Sequence, residues 1–195
     1  MKIIARNFRS IQSQEVEIAP ITLVYGPNAS GKSSLLYALL TLKNIALNPN
    51  QQIPRFFNFQ IMSLGGFREV VFDHDTNNEI EIGIAFEERG FHLDYRVSLK
   101  DTAGRFTLAF SGPQGMEGRM QLDVSFPYQA NQRTEMAIQI GEETVTFSWT
   151  GLTCAAAGPS PLPPDIAQQA QKLVEILNSP IERLRQVSFI PHRRG

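Results

Sequence analysis

The run Gly26-Pro27-Asn28-Ala29-Ser30-Gly31-Lys32-Ser33-Ser34 sets Gly26, Gly31, Lys32 and Ser33 on the fixed positions of the spacing G-x-x-x-x-G-K-[ST]. Residues of these types at these intervals grip a polyphosphate. The two glycines let the backbone curl without Cβ clashes, so the amides of Ala29, Ser30, Gly31, Lys32 and Ser33 point into one anion-sized concavity at the positive end of a helix, around a β-phosphate. Lys32 brings a compact ammonium between β- and γ-phosphate oxygens. The Ser33 hydroxyl is the expected Mg²⁺ ligand, and Ser34 is within reach of an α-phosphate.

Such a loop works only between a strand and a helix. Residues 21–25, Ile-Thr-Leu-Val-Tyr, read as a buried strand, and apolar residues at 35, 36, 39, 40 and 42 keep a helical period that ends near Asn44. Upstream, residues 2–7 and 14–18 look like two strands joined by the polar stretch 8–13. Downstream, Asn48-Pro49-Asn50 and Ile53-Pro54 break the helix, and the chain to Ser63 reads as irregular.

From residue 67 to 150 the texture changes to short alternating segments at 69–72, 79–86, 92–99, 105–110, 119–126, 135–140 and 144–149, separated by turn signals such as Asp75-Thr76-Asn77-Asn78 and Arg89-Gly90. This is the rhythm of an antiparallel meander. Residues 155–164, Ala-Ala-Ala-Gly-Pro-Ser-Pro-Leu-Pro-Pro, read as a semi-rigid connector. A helix follows from Asp165 with Ile166, Ala170, Leu173, Val174 and Leu177 on one stripe, and Asn178-Ser179-Pro180 stops it. Ser179 and Glu182 then have capping-box spacing for another short helix, which gives way to a strand at 187–190. The fold class is therefore α/β (α+β), a single lobe with a phosphate-loop core at 1–66, an antiparallel β subdomain at 67–152, a connector at 153–164, and helices with a returning strand at 165–195.

Composition bounds the function. At 195 residues, 42% hydrophobic and 19% charged, the chain can bury one substantial core, and its formal charge of −1 argues against an overall basic nucleic-acid binder. One cysteine, Cys154, excludes an internal disulfide framework and reads as a small buried hydrophobe. No signal peptide core or run of membrane-spanning length is evident, so a cytoplasmic protein without a membrane partner is expected.

Asn7-Phe8-Arg9-Ser10, the run 21–25 and Gly-Pro-Asn-Ala-Ser-Gly-Lys-Ser-Ser-Leu-Leu occur together and in this order. The chain thereby resembles the N-terminal lobe of ABC-type ATPases, and within them the SMC, RecF-like and OLD-like AAA ATPase branch. The Asn at the third loop position, Asn28, is typical of that class. The resemblance is specific over residues 1–44 and architectural beyond. It implies ATP and Mg²⁺ as cofactors, Arg9 beside the nucleotide, and ATP-dependent pairing of two heads through a C-terminal half that the chain lacks, with DNA as a further partner. It also implies a γ-phosphate-sensing glutamine after the strand ending at Ile190. There the sequence has Pro191-His192-Arg193 instead, leaving His192 as the weak catalytic candidate.

Hydrolysis further needs a carboxylate that fixes Mg²⁺ through water and a group that polarises the attacking water. The nearest imitation of an apolar strand ending in two acids is residues 82–88, whose alternation reads instead as a half-buried antiparallel strand with Glu87 and Glu88 solvated at a hairpin end. Phe110-Ser111-Gly112-Pro113-Gln114-Gly115 imitates an ABC signature yet leads back into β pattern, so a turn is favoured. Asp73-His74-Asp75 offers metal-ligand types without a second cluster and reads as a solvated turn. His92, Trp149 and the phenylalanines read as strand-face or core residues, and Arg183, Arg185, Arg193 and Arg194 as a solvated basic face. Binding of ATP is therefore expected of this chain, and turnover of the full-length ATPase. A nucleotide-responsive interaction module and a transporter subunit are the competing classes.

Overall fold

The computed structural model describes residues 1–28, 30–59, 62–129, 131–157 and 162–188. Strand β1 (Lys2–Phe8) returns as β2 (Ile11–Glu17) through a turn in which Arg9 adopts a left-handed φ of 53°. Helix α1 (Lys32–Leu47) follows the loop, running further than the apolar period indicates, to a cap at Asn48. A one-turn helix α2 (Ile53–Phe56), the hairpin β3 (Asn58–Phe59) and β4 (Met62–Ser63), and a second single turn, α3 (Phe67–Val70), come next. The expected strand at 69–72 is thus helical turn. Glu69 draws the chain round by accepting the Gly66 amide at 2.8 Å.

The alternating segments form strands as expected: β5 (Ile80–Glu88), β6 (Phe91–Leu99), β7 (Ala103–Ser111), β8 (Glu117–Ser125), β9 (Thr134–Ile140) and β10 (Glu143–Trp149). They divide between two sheets. The larger is antiparallel throughout in the order β2-β1-β5-β6-β7-β8, so β1 lies beside a strand some 80 residues away, with Ile3 opposite Ile84 and Ala5 opposite Ile82. The smaller is β11-β10-β9. Its β11 (Cys154–Ala157) occupies the start of the expected connector, because a side chain from elsewhere anchors it: Asn178 accepts the Cys154 amide at 2.7 Å and donates to the Cys154 carbonyl at 2.9 Å.

Asn178-Ser179-Pro180 does not stop the last helix, and α4 (Pro164–Gln186) is continuous through Pro180. Proline has no N–H for the Ile176 carbonyl one turn back, and the Ser179 hydroxyl supplies that donor at 2.7 Å. The described residues 187 and 188 are not strand, and 189–190 lie outside the described residues. α1 packs on β1, β5 and α4, and Lys43 of α1 donates to the carbonyls of Arg185 and Val187 at the negative end of α4. A single apolar cluster runs from Ile3 and Leu42 through Phe106 and Trp149 to Leu184. Cys154 lies within it, and burial pushes its thiol from the ordinary 9.0 up to about 12. No described helix is long and apolar enough to cross a membrane.

The expected buried strand at 21–25 is the largest departure. These residues pair with no described strand, and Ile21, Leu23 and Tyr25 are 86%, 85% and 92% exposed. An apolar run becomes a buried strand only when neighbours hydrogen-bond both of its edges and cover its faces, and none of the described elements does so.

Candidate functional site

Among the described residues the loop leads into α1, but no strand immediately precedes it. Gly26 has φ 150° and Gly31, the N-cap of α1, has φ 86° and ψ 0°, backbone that side-chain-bearing residues rarely adopt. The Gly31 carbonyl takes the first helical bond, from Leu35 at 3.0 Å. The first turn carries no acidic residue and no side chain caps it, so the leading amides of α1 have no anionic partner within the helix. An anion complements that end. Ala29 lies outside the described residues.

Lys32 reaches back over the loop. Its ammonium donates to the carbonyl oxygens of Gly26 at 2.8 Å and Pro27 at 2.6 Å and to the Ser30 hydroxyl at 3.3 Å, which together engage the three protons an ammonium carries. Among the described residues the cation is therefore held at the loop by neutral oxygens. Phosphate oxygens, being charged, make stronger acceptors for the same protons.

Two clefts flank the loop and share Ser10, Ser30, Gly31 and Lys32. The larger, about 820 Å³, runs along β2 and residues 22–27 and has apolar walls that include Val16, Leu23 and Leu35. The second, about 540 Å³, is polar: Asn28, Ser33 and Ser34 line it on the loop side, and Arg9, Asp73 and His74 on the other. Ser33 is exposed there, as a hydroxyl that binds a hydrated divalent ion must be, whereas Ser34 is buried and shares a 3.0 Å hydrogen bond with Ser10.

Of the expected site residues, Asn28, Ser30, Gly31, Lys32, Ser33, Ser34 and Arg9 line the polar cleft, and Gly26 lines the larger one. Ser10 lines the polar cleft as well, as do Asp73 and His74, which the sequence reads as part of a solvated turn. Asp73 and His74 both have φ 56°, and the His74 Nδ1–H donates to the Arg68 carbonyl at 2.9 Å. Asp and His are the residue types that tolerate such backbone, which is the only local signal. What brings their turn to the loop is a long-range connection: the Arg9 amide donates to the Val70 carbonyl at 2.6 Å, and Phe8 bridges to Val71.

The remaining candidates fall elsewhere. At the end of antiparallel β5, Glu87 shares a 2.8 Å hydrogen bond with the His92 ring, and Glu88 accepts from the Arg183 guanidinium at 2.7 Å in a part-buried ion pair. Residues 113–115 form a single 3₁₀ turn leading into β8. No group of three or more metal-ligating side chains occurs among the described residues. Trp149 is core, and Arg185 pairs with Glu182. His192, Arg193 and Arg194 lie outside the described residues.

Residues 1–142 match the model of the AAA ATPase domain family, and this chain belongs to that family. No curated protein matches the chain.

Proposed function

We propose that the chain binds Mg·ATP at residues 26–34 and is the nucleotide-binding lobe of an ATPase of the SMC, RecF-like or OLD-like kind. The observation that carries this reading is the uncapped, acid-free start of α1 behind a left-handed Gly31, with the Lys32 ammonium held at the loop by neutral oxygens. The amides from Gly31 onward would hold the β-phosphate, Lys32 the β/γ oxygens, Ser34 the α-phosphate and Arg9 a phosphate oxygen. Ser33 would bind Mg²⁺, which when present neutralises developing phosphate charge. The polar cleft suits the phosphates and the larger, partly apolar cleft the nucleoside.

Turnover requires groups that neither the loop nor a credible acidic strand among the described residues supplies. The exposed apolar run 21–25 supports a covering partner beside it. In this reading a C-terminal half of the full-length protein supplies both the cover and the acidic strand, and ATP then pairs two heads in the cytoplasm in a DNA-related process of repair, maintenance or defence.

Titration calorimetry of this chain with Mg·ATP tests the site. Lys32→Ala should weaken binding by at least about 1.4 kcal/mol, about tenfold. Equal affinity for the two proteins would sink the assignment. Phosphate release and light scattering on the full-length protein test turnover and pairing, and ATP binding without either would favour a nucleotide-responsive interaction module.

A further inference from the structure

Arg9 lines the polar cleft beside Glu69 and Asp73, yet its Nη1 has no hydrogen-bond partner among the described residues. Its guanidinium carbon instead sits 5.2 Å from the centre of the Tyr37 ring, on the second turn of α1. Tyr37 is itself stacked on Phe59 of β3, with centroids 6.1 Å apart and planes 22° apart. The Arg9 Nη1 is shielded from solvent and has no acceptor among the described residues.

These two ways of holding a guanidinium differ in what they leave free. A carboxylate takes up the N–H fork and neutralises the charge, whereas an aromatic ring touches only the face and leaves the five in-plane donors and the charge intact. An orphaned buried donor is costly, and an oxyanion entering the cleft supplies what it lacks. The backbone fixes the direction from which Arg9 approaches, since its left-handed φ of 53° is pinned by the bond from its amide to Val70.

We propose that Tyr37 is a positioning residue of the phosphate site: its ring face, braced by Phe59, holds the Arg9 guanidinium ready for a nucleotide phosphate without consuming the donors that bind it. This rests on the Mg·ATP reading above. It assigns the β3–β4 hairpin a part in nucleotide affinity although its described residues line no part of the polar cleft.

A mutant cycle on the whole chain tests it, with Mg·ATP and adenosine as ligands in calorimetry and thermal unfolding as the check on folding. Tyr37→Phe keeps the face and should keep ATP affinity. Tyr37→Leu should weaken ATP about fivefold with adenosine unchanged. Arg9→Ala should do at least as much, and the double variant should be no weaker than Arg9→Ala alone, because the ring acts only through the guanidinium. Phe59→Leu, which spares α1, should shift ATP in the same direction by less, and it carries the test should Tyr37→Leu fail to fold. Multiplying effects of Arg9→Ala and Tyr37→Leu, an equal loss in Tyr37→Phe, or equal losses for ATP and adenosine would overturn the proposal. Lys32→Ala separates the two failures: if it lowers ATP affinity while Tyr37→Leu and Phe59→Leu do not, only the role of Tyr37 is wrong, and if it does not, the nucleotide reading goes as well.

Discussion

The hydroxyls of Ser10 and Ser34 lie 3.0 Å apart, 24 positions from each other in the chain, and tie the β1–β2 turn to the first turn of α1. Ser10 faces both clefts beside the loop, and the largely buried Ser34 lines the polar one. The pair therefore joins the turn that carries Arg9 to the first turn of α1.

Removing one partner should show in stability and affinity separately. Ser10→Ala leaves the Ser34 hydroxyl without this bond and should lower unfolding free energy by about 1 kcal/mol, read from urea titration. Ser34→Ala, if Ser34 also reaches the α-phosphate, should weaken Mg·ATP more than Ser10→Ala does. The reverse order would remove Ser34 from the site.

At Gly31 the obstacle to a side chain is the backbone. A Cβ there would meet the Ser10 Oγ at 3.5 Å, an ordinary contact, but φ is 86°. Gly31→Ala should therefore cost about 1–2 kcal/mol of stability and turn the leading amides away from the concavity, with loss of ATP binding. Unchanged melting temperature and affinity would mean that the loop accepts another conformation.

Ser179 is what lets α4 run through a proline. Ser179→Ala leaves the Ile176 carbonyl without a donor and should destabilise the chain by about 1–3 kcal/mol, whereas Ser179→Thr, which keeps the hydroxyl, should lose less. Urea unfolding distinguishes them, and equal losses would assign the effect to packing.

Cys154 gives a pH dependence with a definite sign. Its folded thiol is raised by burial from 9.0 to about 12, so the unfolded chain releases this proton first as pH rises. The stability associated with the neutral thiol is complete below about pH 9 and is lost between there and about pH 12. Cys154→Ala should flatten that alkaline fall even though it lowers stability at neutral pH. Identical alkaline slopes in the two proteins would place the titration elsewhere.

The apolar run 21–25 should behave as an uncovered edge in this chain on its own. Leu23→Glu or Tyr25→Ser should reduce binding of a hydrophobic dye and raise solubility without lowering the melting temperature. A drop in melting temperature equal to that of a core substitution would show that the run is packed in solution.

The left-handed glycine and the helix start at the loop were legible because they are local: glycines at 26 and 31, then a lysine and a serine opening an apolar-periodic helix, carry their meaning within a few residues. The hairpin rhythm from Ile80 to Trp149 was legible for the same reason, since alternation and turn residues are properties of neighbours. Other features were decided by particular contacts, one local and the rest distant in sequence. Whether 21–25 is a buried strand depends on strands that must lie beside it, and apolar composition alone does not supply them. Whether Pro180 ends a helix depended on one hydroxyl meeting one carbonyl, and whether residues 154–157 form a strand depended on the amide of Asn178. The second wall of the site is the clearest case. Arg9, Asp73 and His74 meet the loop because β1 turns back beside Val70 and Val71, a pairing of backbone groups that leaves no mark in the side chains by which a sequence is read.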